Sequence, residues 1–167
     1  VQFTYHSPVA FGPGDAEMKL AAAVLGDGKA SRLYKRLVID EKLASEVGAA
    51  QQGFPLGGIF QVDVNTKPEA DLAKVEKIMD EEIARFVKDG PTSEELDRHK
   101  AGIELALLSG LQSIERKADR MNEYEFYWGE PNSFKRDLDR YRNASTSNVR
   151  SWAGRTFTQG ARVIVRV

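Results

Sequence analysis

Two histidines, His6 and His99, are the residues of this chain best suited to bind a metal, since the sequence contains no cysteine. A hydrolytic zinc site needs several His, Cys, Asp or Glu ligands together, typically with two histidines on one helix face. His6 ends a strand-like run, and His99 lies in a helical segment with no second histidine at helical spacing. We therefore expect no metal ligand here, and interpret His99 as a surface residue and His6 as a structural hydrogen-bonding group.

Nucleophilic and phosphate chemistry have equally little support in the sequence. The serines lie in no GxSxG or SxxK setting; those considered are Ser31, Ser45, Ser93 and Ser109. The glycine pair around Asp27 lacks the GK[ST] ending of a phosphate-binding loop. The acidic neighbours Asp40, Glu41 and Glu46 are typical of solvated helix ends. The sequence thus predicts a domain with no catalytic residue of its own.

The charge balance argues against partners that a strong electrostatic field would attract. The 167 residues include 24 basic and 25 acidic ones, a net charge of −1, so we expect no binding to nucleic acid or an anionic membrane. No apolar run approaches the roughly 18 residues of a membrane span. The length fits one domain over residues 1–167. Because Val1 already lies inside a strand pattern, we expect that domain to be part of a longer polypeptide.

Apolar patterns predict the elements in the first half of the chain. Residues 1–6 alternate as a strand with one buried face, Asp15 is placed to cap a helix, and residues 28–47 form a helix, a loop and a strand. Strand-like runs on both sides of residues 53–58 predict a hairpin. The first arm of this hairpin, around Ser45–Ala50, is poor in bulky residues, which fits either a docking edge for an added strand or an arm packed under helices.

The second half is predominantly helical. Pro68 is expected in the first turn of a helix that continues to Lys88. Thr92 and Glu95 form a capping box for a long helix, which extends to residue 121 and is bent at one of its two glycines, Gly102 or Gly110.

A short helix over residues 134–141, a helix capped by Ser145 or Thr146, and a closing strand over residues 161–167 complete the chain. An aromatic cluster precedes them, and we favour plain packing over a peptide-binding shelf for it; its members are Tyr124, Phe126, Tyr127 and Trp128. The order of elements is strand, two helices, two strands, four helices and strand. It predicts an α+β fold with helices packed on a largely antiparallel sheet.

This succession of signals resembles the insulinase-like (M16) family of zinc peptidases, which includes mitochondrial processing peptidase and bacterial relatives, and specifically their second, C-terminal domain. The motifs that carry the resemblance span essentially the whole chain: YHSP, LGDGKASRLYKRL, EKLASEVGA, GGIFQVDV, DGPTSEELDRHKAGI and VIVRV. The resemblance implies the LuxS/MPP-like metallohydrolase fold. It also implies zinc in the parent protein, on an HxxEH helix of the first domain; no HxxEH occurs here.

The resemblance also points to two substrate-facing positions. In many relatives the second domain supplies an arginine and, seven residues later, a tyrosine that help to hold the substrate backbone near the metal. Val38 and Ser45 occupy these positions here. Valine donates no hydrogen bond, and a serine hydroxyl is much shorter than a phenol. Val38 and Ser45 are thus the substrate-facing candidates, and no catalytic or metal-binding residue is carried over.

Two functions remain open at this point. The first is the inactive-domain portion of a zinc metalloendopeptidase, which closes the peptide-binding chamber over a zinc site on another domain or a paired subunit. Its partners would be a peptide substrate and that zinc-bearing domain. The second is a vestigial peptidase-like subunit that has a structural or partner-binding role and no proteolytic one. The bacterial periplasm and the cytoplasm are both open as locations. We expect the isolated chain to bind no zinc, which elemental analysis after a chelator wash tests.

Overall fold

Seven helices and four strands make up the part of the chain that the computed structural model describes, residues 1–157 and 161–166. In chain order they are β1 (Gln2–Ser7), α1 (Asp15–Gly26), α2 (Arg32–Tyr34) with its π-helical continuation (Lys35–Asp40), β2 (Ala44–Phe54), β3 (Gly57–Thr66), α3 (Leu72–Asp89), α4 (Ser93–Gly110), α5 (Ile114–Trp128), α6 (Phe134–Asn143), α7 (Thr146–Thr156) and β4 (Arg162–Val165). The strands form one antiparallel sheet with helices packed on it, so the predicted α+β fold is confirmed.

The sheet has the strand order β2-β3-β1-β4, so β2 and β4 are its two edges. The register places Phe3 of β1 opposite Val62 of β3 and Ile164 of β4. Because side chains alternate between the faces of a strand, this register gathers the large apolar residues on one face, where they are buried: Phe3, Tyr5, Phe60, Val62 and Val64. The opposite face carries mainly polar side chains, including Thr4 and Gln61.

Helices α1, α3 and α7 cover the apolar face of the sheet. At its centre the ring of Phe157, just after α7, meets Tyr5 and Phe60 edge to face, with centroids 5.1 Å and 4.8 Å away. Such aromatic pairs add to the stabilisation from burial alone. Among the described helices, none combines the length and apolar character needed to cross a membrane.

The predicted helix cap at Asp15 is wrong. Gly14, with φ of 89°, occupies the cap position, and Asp15 is the first residue of α1 and fully buried. Its Oδ2 accepts hydrogen bonds from the backbone N–H of Phe11 (3.1 Å), from Lys19 (3.1 Å) and from Arg140 (3.0 Å). A buried carboxylate requires such partners. Arg140 lies 125 residues away in the chain, which is why local pattern could not reveal this role.

Arg140 also links α6 to α5. Its guanidinium donates to Oδ1 of the buried Asp137 (2.5 Å), whose Oδ2 accepts a hydrogen bond from the Tyr124 hydroxyl (2.9 Å). The Tyr124 ring stacks on Trp128 at 5.4 Å, and both rings pack against Phe11. Packing is therefore the role of these two predicted aromatics, although Phe126 of the same cluster remains 71% exposed.

Two helix boundaries differ from the prediction. Helix α3 begins at Leu72 and not at Pro68, because the Asp71 carboxylate accepts hydrogen bonds from the backbone amides two and three residues later (2.9 and 3.4 Å) and caps the helix there. The long helix predicted after Thr92 is two helices, since α4 ends at Gly110 and a turn over residues 111–113 precedes α5.

The other helix caps agree with the sequence. Thr92 and Glu95 form the predicted capping box, and Ser145 caps α7 by accepting a hydrogen bond from the amide of Asn148 (3.1 Å). The closing strand is also present, but as Arg162–Val165 within the predicted 161–167. Val167 lies outside the described residues.

Candidate functional site

The corner between α2 and β2 concentrates three backbone irregularities within a dozen residues. Residues Lys35–Asp40 are π-helical, with the amide of Glu41 donating to the carbonyl of Arg36 at 3.0 Å. Lys42 has a left-handed backbone with φ of 55°. The pairing of β2 with β3 then shifts at Ser45, which is the extra residue of a β-bulge. Each of these features is found preferentially at functional sites. The corner between α2 and β2 is therefore the candidate functional site.

The two substrate-facing candidates lie on this corner but face different surroundings. Val38 is in the π-helical segment, half-buried and packed against the hydrophobic core. Ser45 is exposed, and its hydroxyl donates to the backbone carbonyl of Asn65 at 3.1 Å. Neither side chain carries a charge. Whether a peptide contacts them stays a prediction.

A groove of about 610 Å³ begins directly beside Ser45 and follows the outer edge of β2. Six successive residues of the strand border it, from Glu46 to Gln51. Successive side chains of a strand point to opposite faces, so six in a row can border one cavity only where that cavity faces the strand edge. Backbone N–H and C=O groups of an edge strand are unpaired on that side. The space next to them, called here the β2 groove, thus presents main-chain hydrogen-bonding groups.

The end of α1 forms the opposite wall of the β2 groove, together with Tyr34 of α2. Gly26 is the last residue of α1, and a Cβ built there would lie 2.5 Å from the backbone nitrogen of Ala49. Only glycine permits this close approach of helix and strand. A Cβ built at the neighbouring Gly48 meets no atom within 4 Å. The small-residue arm is therefore packed under a helix at Ala49, while a side chain at Gly48 would have open space; a docked strand along this arm stays a prediction.

The charges along the β2 groove are balanced. Lys19 and Lys29 border it, as do Asp27 and Glu46. Lys19 is already engaged by Asp15 at 3.1 Å. A groove with this balance and with exposed strand backbone is suited to recognise an extended main chain, while it has little means of selecting a charged ligand.

An ion pair fixes the α2 corner to the α3–α4 turn. Arg32 donates to both carboxylate oxygens of Glu95 (2.9 and 2.6 Å) and to the carbonyl of Gly90 (2.9 Å). Burial alone would raise the pKa of Glu95, but the hydrogen bonds from Arg32 and from the backbone of Thr92 outweigh it and lower the pKa to about 2. The guanidinium also lies 5.3 Å from the Phe86 ring centre. Bidentate, charge-assisted hydrogen bonds therefore hold α2 against the turn between α3 and α4.

No metal centre is formed in the part of the chain that the structure describes. His6 is exposed on β1 and His99 is half-buried on α4, and no group of three or more His, Asp or Glu side chains is arranged to hold an ion among residues 1–157 and 161–166. Four-coordinate zinc needs such a set of ligands. The described residues thus do not fit a zinc ion, and any zinc chemistry has to come from outside them.

Comparison with known proteins gives this geometry its context. The family model of the peptidase M16 inactive domain matches residues 1–103. The chain belongs to this family. It is 27% identical over 136 residues to an uncharacterised zinc protease of Streptomyces coelicolor, a match that covers 81% of this chain and 29% of that protein. The M16 inactive domain thus spans about a third of the length of the curated relatives that it matches.

Solved structures share the fold over almost the entire M16 inactive domain. The inactive peptidase domain of a protein described as a zinc protease from Bordetella parapertussis is 25% identical, with a TM-score of 0.85; the match covers 97% of this chain and 87% of that one. A Helicobacter pylori protease gives a TM-score of 0.86 at 19% identity, covering 96% of this chain and 39% of that one. The homologues are named zinc proteases, which implies zinc in the parent proteins of such domains.

Sequence reasoning missed parts of this site. The run of small residues at 48–50 was the available signal for the β2 groove, and it left two alternatives. The π-helical turn and the left-handed Lys42 have no local signal, because lysine is seldom found at positive φ. The Arg32–Glu95 pair joins residues 63 apart, and only the fold brings these together.

Proposed function

We propose that this M16 inactive domain is the non-catalytic half of a zinc metalloendopeptidase and that it holds an extended peptide along β2 while it closes a chamber over zinc carried by another domain. The single observation that carries the proposal is the groove bordered by six successive residues of an edge strand. A peptide adds to such an edge through main-chain hydrogen bonds, whatever its sequence. Bond cleavage would depend on the zinc-bearing domain, which is the partner implied by the relatives.

Val38 and Ser45 stand where many relatives have an arginine and a tyrosine, and this difference is consistent with recognition of the peptide through its main chain. A valine and a serine in place of an arginine and a tyrosine remove a cation and a phenol that could grip a carbonyl group. Main-chain groups of β2 remain, and they begin at the next residue, Glu46. In this proposal the peptide is therefore held mainly by strand pairing.

Hydrogen exchange tests the proposal directly. Addition of a short, flexible, uncharged peptide is expected to slow exchange of the outward-facing amides of Glu46–Gln51, because new strand pairing protects them. The amides of β4 are the internal control, since they lie at the other edge of the sheet.

A pair of charge variants makes the test specific. Gly48→Lys places a lysine on the β2 groove, where a Cβ has open space, and lysine on an edge strand opposes strand addition. We expect peptide affinity to fall at least about tenfold, or roughly 1.4 kcal/mol. Gln52→Lys is the matched control, because it adds the same charge to the same face of β2 beyond the groove; it should leave affinity unchanged.

The alternative of a vestigial, purely structural subunit predicts the opposite results. Under that alternative, β2 amides exchange at the same rate with and without peptide, and the two lysine variants behave alike. Either outcome in the folded protein would contradict the proposal.

A further inference from the structure

A second cavity adjoins the β2 groove. It measures about 510 Å³ and lies between α1 on one side and α4, α5 and α6 on the other. Lys19, Ile103 and Tyr141 border both this cavity and the β2 groove. A chain lying along β2 therefore passes next to the second cavity, called here the α4–α5 cavity.

The lining of the α4–α5 cavity combines apolar side chains with charged side chains of both signs. Its apolar side chains come from α4, α6 and the turn after α4: Ile103, Leu107, Leu111, Phe134 and Tyr141. Three basic residues among its borders are matched by three acidic ones, and some are already paired, such as Arg120 with Glu123 at 2.8 Å and Lys19 with Asp15 at 3.1 Å. Such a pocket has no net charge with which to select a charged ligand, and its size lies within the range of small-molecule pockets.

The apolar lining is incompletely covered by the domain itself. Helix α5 is anchored at its C-terminal end, where Tyr124 and Trp128 pack on Phe11, while its first turn is open to solvent, with Ile114 89% exposed. On the cavity wall, Leu111 is 36% exposed. An apolar group placed in the cavity would remove this surface from water, which is favourable by roughly 25 cal/mol per Å².

We propose that the α4–α5 cavity takes one large uncharged side chain, aromatic or aliphatic, of the peptide that lies along β2. This inference rests on the proposed function, and it adds sequence selectivity to a groove that otherwise recognises main chain. The shared borders at Lys19, Ile103 and Tyr141 place the cavity beside the bound strand. The absence of net charge in the lining favours an uncharged side chain over a charged one.

Peptide scanning with a cavity-filling variant tests this inference. The probes are short alanine–serine peptides, one without a large residue and the others with a single phenylalanine at successive positions. Binding to the folded chain is measured by fluorescence anisotropy. We expect phenylalanine at one position to raise affinity about tenfold over the parent peptide, which is the usual size of one buried large apolar group.

Ala106→Trp should abolish this gain selectively. Ala106 borders the cavity from the exposed side of α4, so a tryptophan there occupies part of the cavity without displacing the core. Affinity for the best phenylalanine peptide should fall about tenfold, to that of the parent peptide, whose affinity stays the same. Ala101→Trp is the matched control, because it lies exposed on the same helix and does not border the cavity.

The possible results separate the two proposals. If the parent and phenylalanine peptides all fail to bind, the proposed function is wrong, and this inference with it. If they bind but no position prefers phenylalanine, or Ala106→Trp weakens all of them equally, the inference is wrong and the proposed function stands. If Ala106→Trp does not fold, Leu111→Ala replaces it. This variant enlarges the cavity, so it should lower the affinity for the phenylalanine peptide and leave that for the parent peptide unchanged. An unchanged affinity for the phenylalanine peptide would overturn the inference.

Discussion

The two edges of the sheet differ in length and in charge. β4 has four residues, and its arginines are tied to α3: Arg162 binds Asp80 through two hydrogen bonds, and Arg166, just after the strand, pairs with Glu76. β2 has eleven residues, and Val47–Gln51 contains no charge and no proline. Short, charged edges prevent intermolecular pairing, whereas long uncharged ones invite it.

This contrast teaches where the fold leaves room for a ligand. An uncovered edge is an aggregation hazard that natural proteins usually block. In this domain the β4 edge, called here the blocked edge, is short and carries paired arginines, whereas a groove follows the β2 edge, called here the open edge. The irregular corner at Lys42 and Ser45 lies at the start of that open edge. We therefore regard the β4 side as the structural side of the domain and the β2 side as its binding side.

The largest expected effect on stability comes from removing the Arg162–Asp80 ion pair at the blocked edge. The Arg162 guanidinium contacts Asp80, donates to the Tyr5 hydroxyl (3.2 Å) and lies 4.1 Å from the Phe3 ring centre. Arg162→Met should lower the free energy of unfolding by about 2–3 kcal/mol, because it leaves a half-buried carboxylate without its partner. Urea unfolding measures the loss. Peptide affinity should not change.

Lys135→Met is the control for this prediction. The Lys135 side chain is 86% exposed and that of its partner Asp139 is 34% exposed, and surface ion pairs contribute little to stability, so its loss should have a much smaller effect. If Arg162→Met instead weakened peptide binding in the folded protein, the separation of the two sides would have to be abandoned.

The next largest effect concerns the Arg32–Glu95 ion pair, which fixes the position of α2 on the binding side. Glu95→Gln keeps a residue that supports the capping box but removes the ion pair with Arg32. We expect a loss of about 2 kcal/mol at neutral pH, after allowance for partial exposure. The pKa of Glu95 is lowered to about 2 in the folded state, from an ordinary 4.5. The stability from the pair is thus fully present above pH 4.5 and disappears as the pH falls toward 2.

The measurement for Glu95→Gln is urea unfolding of both proteins at several pH values. The difference between wild type and variant should be constant above about pH 5 and should shrink below it. A difference that persists unchanged at low pH would show that the ion pair is not its source.

Much of this fold follows from local sequence patterns, and the exceptions share one cause. The strands and the hairpin were predictable, since alternation in runs such as residues 59–64 is a local property. The caps at Thr92 and Ser145 were also predictable, because they depend on residues three positions apart. Asp15 was misassigned, since its partner Arg140 is remote in the chain. The break after Gly110 was missed because the apolar spacing continues across it.

The site was less predictable than the fold. A run of small residues indicated the β2 groove but could not tell a strand edge from helix packing, and the structure contains both at adjacent positions. The α4–α5 cavity had no signal at all, because four helices form it. Val38 and Ser45 remain predictions, since their proposed role depends on a bound peptide.

The smallest expected effect concerns the irregular start of β2. Lys42 has φ of 55° and an exposed side chain, a backbone state that costs an ordinary residue about 1–2 kcal/mol and that glycine adopts freely. Lys42→Gly should therefore stabilise the protein by roughly 0.5 kcal/mol, after the entropic cost of glycine in the unfolded chain. Thermal unfolding should show a rise of about 1–2 °C.

Lys42→Ala distinguishes backbone strain from charge in this prediction. Alanine removes the positive charge of Lys42 but keeps a Cβ, so the strain at positive φ remains. If strain is the cause, only the glycine variant gains stability. If both variants gain equally, the lysine charge is the source, and the corner is then less strained than its backbone angle indicates. A strained corner at the start of the open edge is consistent with a binding side, because strained backbone is found preferentially where it serves a site.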